Sequence, residues 1–243
     1  MKNAIYNKIT LLAGLIILQS SFALAMGQRL PSSGGGSTRP TTPTTPTTPT
    51  TPTEPTTPPT SGSDVTPSWE AKNSAGKTWT AHVNNELDRL GQDMLDVIPA
   101  DASTFCPNYK NLSYAQRKQY WTHLMSNMVR FESSYNTNTS YTEAFNDSQG
   151  RRVVSRGLLQ ISIESGNAYG CGFKTSKDLH DPLQNLSCGI RILNRWVGRD
   201  GRIAGKVSGS WRGGARYWAV LRAGDKTSYQ TILSSSKKLS ICK

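Results

Sequence analysis

The chain has 243 residues and a formal net charge of +12, from 28 Lys and Arg against 16 Asp and Glu. It contains no nucleotide-binding glycine loop, no structural repeat array and no long series of strands, which excludes nucleotide-binding folds and solenoids. The part after residue 65 is long enough to bury the core of one domain.

Residues 1–25 have the three parts of a signal peptide. Lys2 and Lys8 supply the positive charge, the apolar run covers residues 9–18, and Ala-Leu-Ala at 23–25 provides a small-x-small cleavage site. The run is shorter than the roughly 20 apolar residues of a membrane span. We therefore predict a secreted protein, periplasmic or extracellular, with no stable membrane anchor.

Residues 26–65 are dominated by Pro, Thr, Ser and Gly, with Thr-Thr-Pro repeated between Pro40 and Pro58. Proline at every third position favours an extended chain of ~3 Å per residue, and the repeats between Pro40 and Pro58 have no apolar side chains to bury apart from proline itself. This segment is predicted to be a disordered linker. The sequence leaves open whether it carries O-linked sugars.

All four cysteines lie in the remaining segment, residues 66–243, which is predicted to be the folded domain. An even number of cysteines in an exported domain predicts two disulfides. Of the three possible pairings we favour Cys171–Cys188 with Cys106–Cys242, the second of which would fasten the end of the chain. A zinc site is the alternative, but the domain lacks any Cys-x-x-Cys pair.

Helical periodicity predicts two helices in the first half of the domain. Apolar residues recur at helical steps over residues 85–98. A second helix covers residues 112–131, and it begins with Ser113 and Gln116 at the spacing of a capping box.

The second half is predicted to contain a hairpin and two more helices. A polar turn at residues 146–150 precedes the β-prone pair at 153–154, which indicates a small β-hairpin. The next helix covers residues 181–197, with Asp at the N-cap and Pro at the first helical position. The last is expected over residues 214–223. The predicted fold class is mainly α, a helical bundle with one small hairpin lobe and two disulfides.

Glu132 occupies an unusual position on the second helix. Steps of four, three and four residues place four side chains on one face: Trp121, Met125, Met128 and Glu132. A glutamate on an apolar face costs stability, so either the helix ends there or the acid is kept for chemistry. A helix-end salt bridge with Arg130 or Arg156 is the structural alternative.

Several motifs resemble those of the soluble lytic transglycosylase and goose-type lysozyme superfamily. Phe-Glu-Ser-Ser-Tyr-Asn at 131–136, followed by Ser-Arg-Gly-Leu-Leu-Gln at 155–160, is similar to its Glu-Ser … Gly-Leu-Met-Gln signature. Asn185 and Gly189 match its Asn-x-x-x-Gly helix. Tyr217 falls where the family has Tyr-Asn-Ala-Gly, although Trp follows it here. The resemblance covers roughly residues 112–221.

The resemblance implies a lysozyme-like α+β fold and cleavage of the β-1,4 bond between sugars of bacterial peptidoglycan, with Glu132 as general acid. Burial on an apolar face disfavours the charged form of a carboxyl group and so favours the proton donor. The resemblance also implies a set of substrate-binding residues: Ser155, Gly157, Gln160, Asn185 and Tyr217.

Glu143, eleven residues after Glu132, is a candidate second catalytic residue. Goose-type lysozymes have further acids after the catalytic glutamate that hold a water, whereas lytic transglycosylases have one carboxylate and form 1,6-anhydro products. A second carboxylate favours hydrolysis, and an inverting route places the two carboxyl groups about 6.5–9.5 Å apart. The alternative is that Glu143 is a solvated loop acid.

The expected partner is bacterial peptidoglycan rather than nucleic acid, and a monomer is expected. The chain is most similar to lysozymes of predatory bacteria that act on deacetylated peptidoglycan, whose free ammonium groups Glu143 and Asp147 could bind. Between Gly189 and Lys243 there are only two acids, which favours contacts to the carboxylates of peptide stems.

We expect no metal and no cofactor, because the three histidines are scattered in sequence: His82, His123 and His180. A non-catalytic wall-binding module is the alternative from another functional class. Such a module has no need for an acid on an apolar helix face.

Overall fold

The computed structural model describes residues 65–243. The predicted signal peptide and all but the last residue of the predicted linker lie outside the described residues. Val65, the last residue of the predicted linker, is buried. No helix within residues 65–243 is long and apolar enough to cross a membrane.

The described part of the chain is mostly helical and has two antiparallel two-stranded sheets. The helices are α1 (Gly76–Leu90), α2 (Gln92–Asp96), α3 (Ala102–Phe105), α4 (Tyr114–Ser133), α5 (Ile163–Asn167), α6 (Ser176–His180), α7 (Pro182–Asp200) and α8 (Lys226–Lys237). The strands are β1 (Ser140–Asn146), β2 (Arg152–Arg156), β3 (Ala204–Val207) and β4 (Ser210–Gly213). The predicted fold class is confirmed, with one hairpin more than expected.

The helix predicted over residues 85–98 is two helices, α1 and α2, separated by Gly91. The side chain of Asn194 on α7 accepts a hydrogen bond from the backbone N–H of Met94 in the first turn of α2, at 2.8 Å. This bond fixes α2 against α7. Helix α2 ends at Asp96. Ile98 precedes Pro99, and a residue before proline disfavours the helical conformation. Ile98 is therefore 52% exposed and outside the core.

Helix α4 is the central helix of the core. Its predicted capping box is present: Ser113 caps the N–H of Gln116, and the Gln116 side chain accepts from the N–H of Ser113. This arrangement satisfies two of the donors that a helix start leaves without partners. Trp121, Met125 and Met128 are fully buried. The predicted apolar face is thus confirmed.

Helix α7 begins as predicted, with Asp181 accepting from the backbone N–H groups of Leu183 and Gln184 and with Pro182 at the first position. It packs against α1, α2 and α6. Cys188 on this helix is disulfide-bonded to Cys171, and a second disulfide joins Cys106 to Cys242. Both favoured pairings are confirmed.

The predicted β-hairpin is present as β1 and β2. A second hairpin, β3 and β4, was not predicted, and it turns at Ser208 and Gly209, which both have positive φ. Its base is held by Asp101, whose buried carboxylate accepts from the N–H groups of Ile203 and Ala204. Burial raises the pKa of Asp101 above its usual range.

The helix predicted over residues 214–223 is wrong. This stretch contains two short 3₁₀ turns, Gly214–Arg216 and Ala219–Leu221, and α8 follows them. Gly213 has φ 58° and packs against the carbonyl groups of Arg202 and Ile203 so closely that a Cβ atom would clash. The chain therefore turns at Gly213, the end of β4, and does not continue from the strand into an α-helix.

Candidate active site

Helix α4 carries Glu132 in its last turn. The three apolar residues on the same face are fully buried, whereas Glu132 is only partly buried. The helix ends one residue later, and Ser134 and Tyr135 both adopt positive φ. The helix therefore ends where its apolar face reaches the surface, which brings the Glu132 carboxyl group to the rim of the core.

Tyr217 and Arg222 both lie within range of the negative charge of Glu132. The Tyr217 hydroxyl is 2.6 Å from the Ser165 hydroxyl and shares a hydrogen bond with it. Burial raises the pKa of Tyr217 well above its usual value, and the nearby Glu132 charge adds to this effect. The phenol is consequently neutral at physiological pH, and it presents a polar group beside the acid.

The side chain of Arg222 is half-buried. Its guanidinium donates to the carbonyl oxygens of Ala215 and Arg216, at 2.9 and 3.3 Å. Burial lowers the pKa of Arg222, and the negative charge of Glu132 opposes that effect. Sequence reasoning did not single out Arg222, because nothing in its neighbouring residues shows that it faces the end of α4.

Glu143 lies on β1, where the strand is irregular. The register shifts between Thr142 and Asn146, so a bulge interrupts the pairing within the stretch that contains Glu143. Bulges re-aim side chains, often beside functional sites. The Ser155 hydroxyl on β2 donates to Glu143 Oε1 at 2.7 Å. Ser155 is buried, and its contact in the structure is with Glu143, so it positions this carboxylate.

Asp147 has a different role from Glu143. It accepts from the backbone N–H groups of Gln149 and Arg151, at 3.0 and 2.8 Å, and from Nε of Arg151. These bonds hold the pKa of Asp147 below its usual value. The Asp147 carboxylate thus organises the hairpin turn.

Asn185 connects α7 to the loop that follows β2. Its Oδ1 accepts from the N–H of Leu159 at 2.9 Å, and its Nδ2 donates to the carbonyl oxygens of Arg156 and Leu179. The side chain is fully buried. Asn185 was predicted to bind substrate, but it lies inside the protein and acts by fixing the loop.

Gly157 and Gly189 lie where the loop after β2 packs against α7, and neither position has room for a side chain. A Cβ atom on Gly157 would clash with the Leu179 carbonyl oxygen and with the Asn185 amide, and its φ is 74°. A Cβ atom on Gly189 would clash with Leu159. Gly157 was predicted to bind substrate, whereas the structure shows that it allows close packing of the loop on α7.

Gln160 lies at the end of this loop, with φ 49°. Its Nε2 donates to the carbonyl oxygens of Thr139 and Gly157, at 3.1 and 2.9 Å. The amide nitrogen therefore ties the start of β1 to the loop. Its predicted contact with substrate stays a prediction.

Metal-binding residues do not cluster in residues 65–243: no group of three His, Cys, Asp or Glu side chains is placed to hold an ion. His82 contacts Ser187 and the Leu183 carbonyl, and His180 contacts the Thr137 carbonyl. His123 is buried between α4 and α8. All three histidine side chains thus contact other groups of the protein.

These features define a mostly helical domain with two disulfides, in which partly exposed glutamates on a helix end and on a bulged strand are each held among polar neighbours. No family model and no curated protein matches the chain. A solved structure of the Bdellovibrio protein Bd0314 DslA matches at 72% sequence identity and a TM-score of 0.72, covering 73% of this chain and 98% of that one. The chain belongs to the same family as DslA.

Two further DslA structures match with the same identity and TM-score. Each is a mutant in which one glutamate is replaced by glutamine, and the two replaced positions are eleven residues apart.

Proposed function

We propose that this protein is a secreted lysozyme that hydrolyses the β-1,4 bond between the sugars of bacterial peptidoglycan. The observation that carries the proposal is a spacing. Glu132 and Glu143 are eleven residues apart, and so are the two glutamates replaced in the DslA mutants. The motif resemblance to goose-type lysozymes supports the same pair.

In this proposal Glu132 is the general acid. A carboxyl group at the end of an apolar helix face is placed to donate a proton to the leaving oxygen of a substrate bound there. The neutral phenol of Tyr217 beside it is suited to hydrogen-bond the substrate without changing its charge. The loop after β2 is fixed to α7 by the hydrogen bonds of Asn185, which we expect to keep this part of the site rigid.

Glu143 is the general base that orients water. The hydrogen bond from Ser155 fixes one of its oxygens, and the bulge in β1 sets its direction. An inverting hydrolase needs two carboxyl groups about 6.5–9.5 Å apart, so that a water fits between the base and the sugar. A carboxylate held on a separate strand suits that arrangement better than one on the same helix.

The preference for deacetylated peptidoglycan is part of the proposal, because a free ammonium group on glucosamine pairs with a carboxylate. Glu143 and Asp147 are the two carboxylates of the first hairpin to which we assign that contact.

The test is digestion of purified sacculi by Glu132→Gln, Glu143→Gln and Ser155→Ala, with Glu86→Gln as a control at a surface ion pair. The first two variants should lose about 10²-fold or more of the rate. Ser155→Ala should lose less, because the base remains present but poorly oriented. Equal thermal stabilities would show that the losses are chemical.

Borohydride reduction of the digest and mass analysis identify the product, since reducing ends gain two hydrogens and anhydro ends do not. We expect reducing ends from the wild type. Anhydro ends would show a lytic transglycosylase and remove the need for Glu143. A wild type that binds sacculi without cutting them would instead show a wall-binding module.

A further inference from the structure

The second hairpin, β3 and β4, carries a cluster of cations around one indole ring. Lys206 and Trp211 are cross-strand partners, and the Lys206 ammonium lies 5.4 Å from the centre of the Trp211 ring. The guanidinium of Arg222 lies 5.5 Å from the same ring centre. Lys206 is exposed, and Trp211 and Arg222 are partly exposed. We call Lys206, Trp211 and Arg222 the cationic cluster.

The acids nearest to this hairpin are already engaged. Asp200 accepts from Arg216, at 2.6 Å to Nε and 3.0 Å to Nη2, and from the N–H of Gly213 at 2.8 Å. The pKa of Asp200 is lowered by the Arg216 hydrogen bond, against the effect of burial. Asp101 is buried at the hairpin base.

The sequence around the second hairpin also has an excess of positive charge. From Gly189 to Lys243 the chain contains twelve Lys and Arg against two acids, Asp200 and Asp225. Asp225 caps α8 by accepting from the N–H of Ser228. The positive potential of this region is therefore not neutralised from within the region, and a charged cleft concentrates ligands of the opposite sign.

Arg222 connects the cationic cluster to the candidate active site. Its guanidinium contacts Trp211 and also lies within electrostatic range of Glu132. Arg222 therefore shares a ring with Lys206 and also interacts electrostatically with Glu132. Indole rings stack on sugar faces, and Lys and Arg pair with carboxylates.

We propose that the cationic cluster binds the carboxylate groups of the peptide stems on a peptidoglycan strand held at Glu132. This inference rests on the proposed function for its substrate. It assigns a separate role to the second hairpin, which would recognise the substituent on the strand and not the bond that is cut.

The experiment measures binding of the full chain carrying Glu132→Gln to two ligands of matched length: glycan strands with their peptide stems, and the same strands stripped by an amidase. Lys206→Glu and Lys206→Asp are introduced separately. Lys237→Glu makes the same charge change at an exposed position on α8 and serves as the control.

Without a cluster mutation, the protein should prefer the stem-bearing strands. Each cluster variant should reduce that preference by about five- to tenfold, since reversing a charge replaces an attraction with a repulsion. Lys237→Glu should keep the preference. High salt should weaken the preference of the unmutated cluster and leave little difference between the proteins.

Two results would overturn the inference. One is equal affinity for stem-bearing and stripped strands, and the other is an equal effect of Lys237→Glu and Lys206→Glu, which would show bulk charge alone. Binding that follows phosphate-bearing wall polymers instead of peptide stems would overturn it as well. Because binding is measured without turnover, a wild type that fails to cut either strand refutes the proposed function separately.

Discussion

The Asn185 side chain can be removed to measure how strongly α7 holds the loop beside the candidate active site. In Asn185→Ala the buried N–H of Leu159 and the Leu179 carbonyl lose their side-chain partner, whereas the Arg156 carbonyl keeps the bond from the N–H of Ile161. A buried polar group without a partner costs ~1–3 kcal/mol, so two of them cost about 3 kcal/mol together.

For a domain of this size, 1 kcal/mol shifts the melting temperature by ~2–4 °C, so Asn185→Ala should lower it by about 6–12 °C. The matched control is Asn194→Ala on the same helix. Its side chain bonds to Met94 and Asp93 but is partly exposed, so water replaces part of what is lost and the cost should be about 1 kcal/mol.

Thermal and urea unfolding are followed by circular dichroism with both disulfides intact. Activity of Asn185→Ala on sacculi should fall even at temperatures where the variant is folded, because the loop is loosened. Equal losses of stability in Asn185→Ala and Asn194→Ala would refute the reasoning, since the two differ mainly in burial.

Two other predictions concern stability. Burial lowers the pKa of His123 to about 4, so below pH ~6.5 the unfolded chain binds a proton at this residue and the folded chain does not. As the pH falls from ~6.5 to about 4, the free energy of unfolding should therefore fall by up to about 3 kcal/mol. His123→Gln should flatten the plot of urea midpoint against pH over this range. A profile unchanged by the mutation would contradict this. The Cys106–Cys242 disulfide spans 136 residues and the Cys171–Cys188 disulfide spans 17, so replacing each pair by alanine should cost ~5 and ~3 kcal/mol in the chain-entropy account. Urea midpoints of the two double variants measure the order, and a larger cost for the short loop would show that strain or local packing outweighs chain entropy.

Local signals explain which elements could be predicted from the sequence. The capping box at Ser113 and the Asp-Pro start of α7 are short-range chemistry, and both are present as predicted. The second hairpin was missed because its strands have four residues each and the Ser208-Gly209 turn is its main signal. Two residues of positive φ in a two-residue turn are typical of a hairpin.

The candidate site could be predicted from the sequence only in part. The Glu132 position was predictable from helical periodicity, because three side chains on its face had to be buried. The roles of Asn185 and Ser155 were not, since each depends on a partner at least twelve residues away in the chain. A motif match identified these residues as important, but only the long-range contacts show that both act on other residues of the protein.

Helix α7 holds the segment that follows β2 at two points only three residues apart: Asn185 binds its start at Leu159, and Cys188 binds its end at Cys171. The segment cannot shift without moving α7 or breaking a covalent bond. The turn at Asp147 and Gly150, in contrast, is exposed or partly exposed, and it is held by hydrogen bonds to Asp147 and by the bond from the Ser148 N–H to the Glu164 carboxylate. In hydrogen–deuterium exchange, the Leu159 amide should therefore exchange only with global opening, and amides of the turn should exchange faster than it. The segment after β2 is thus fixed more firmly to the core than the turn of the hairpin that carries Glu143.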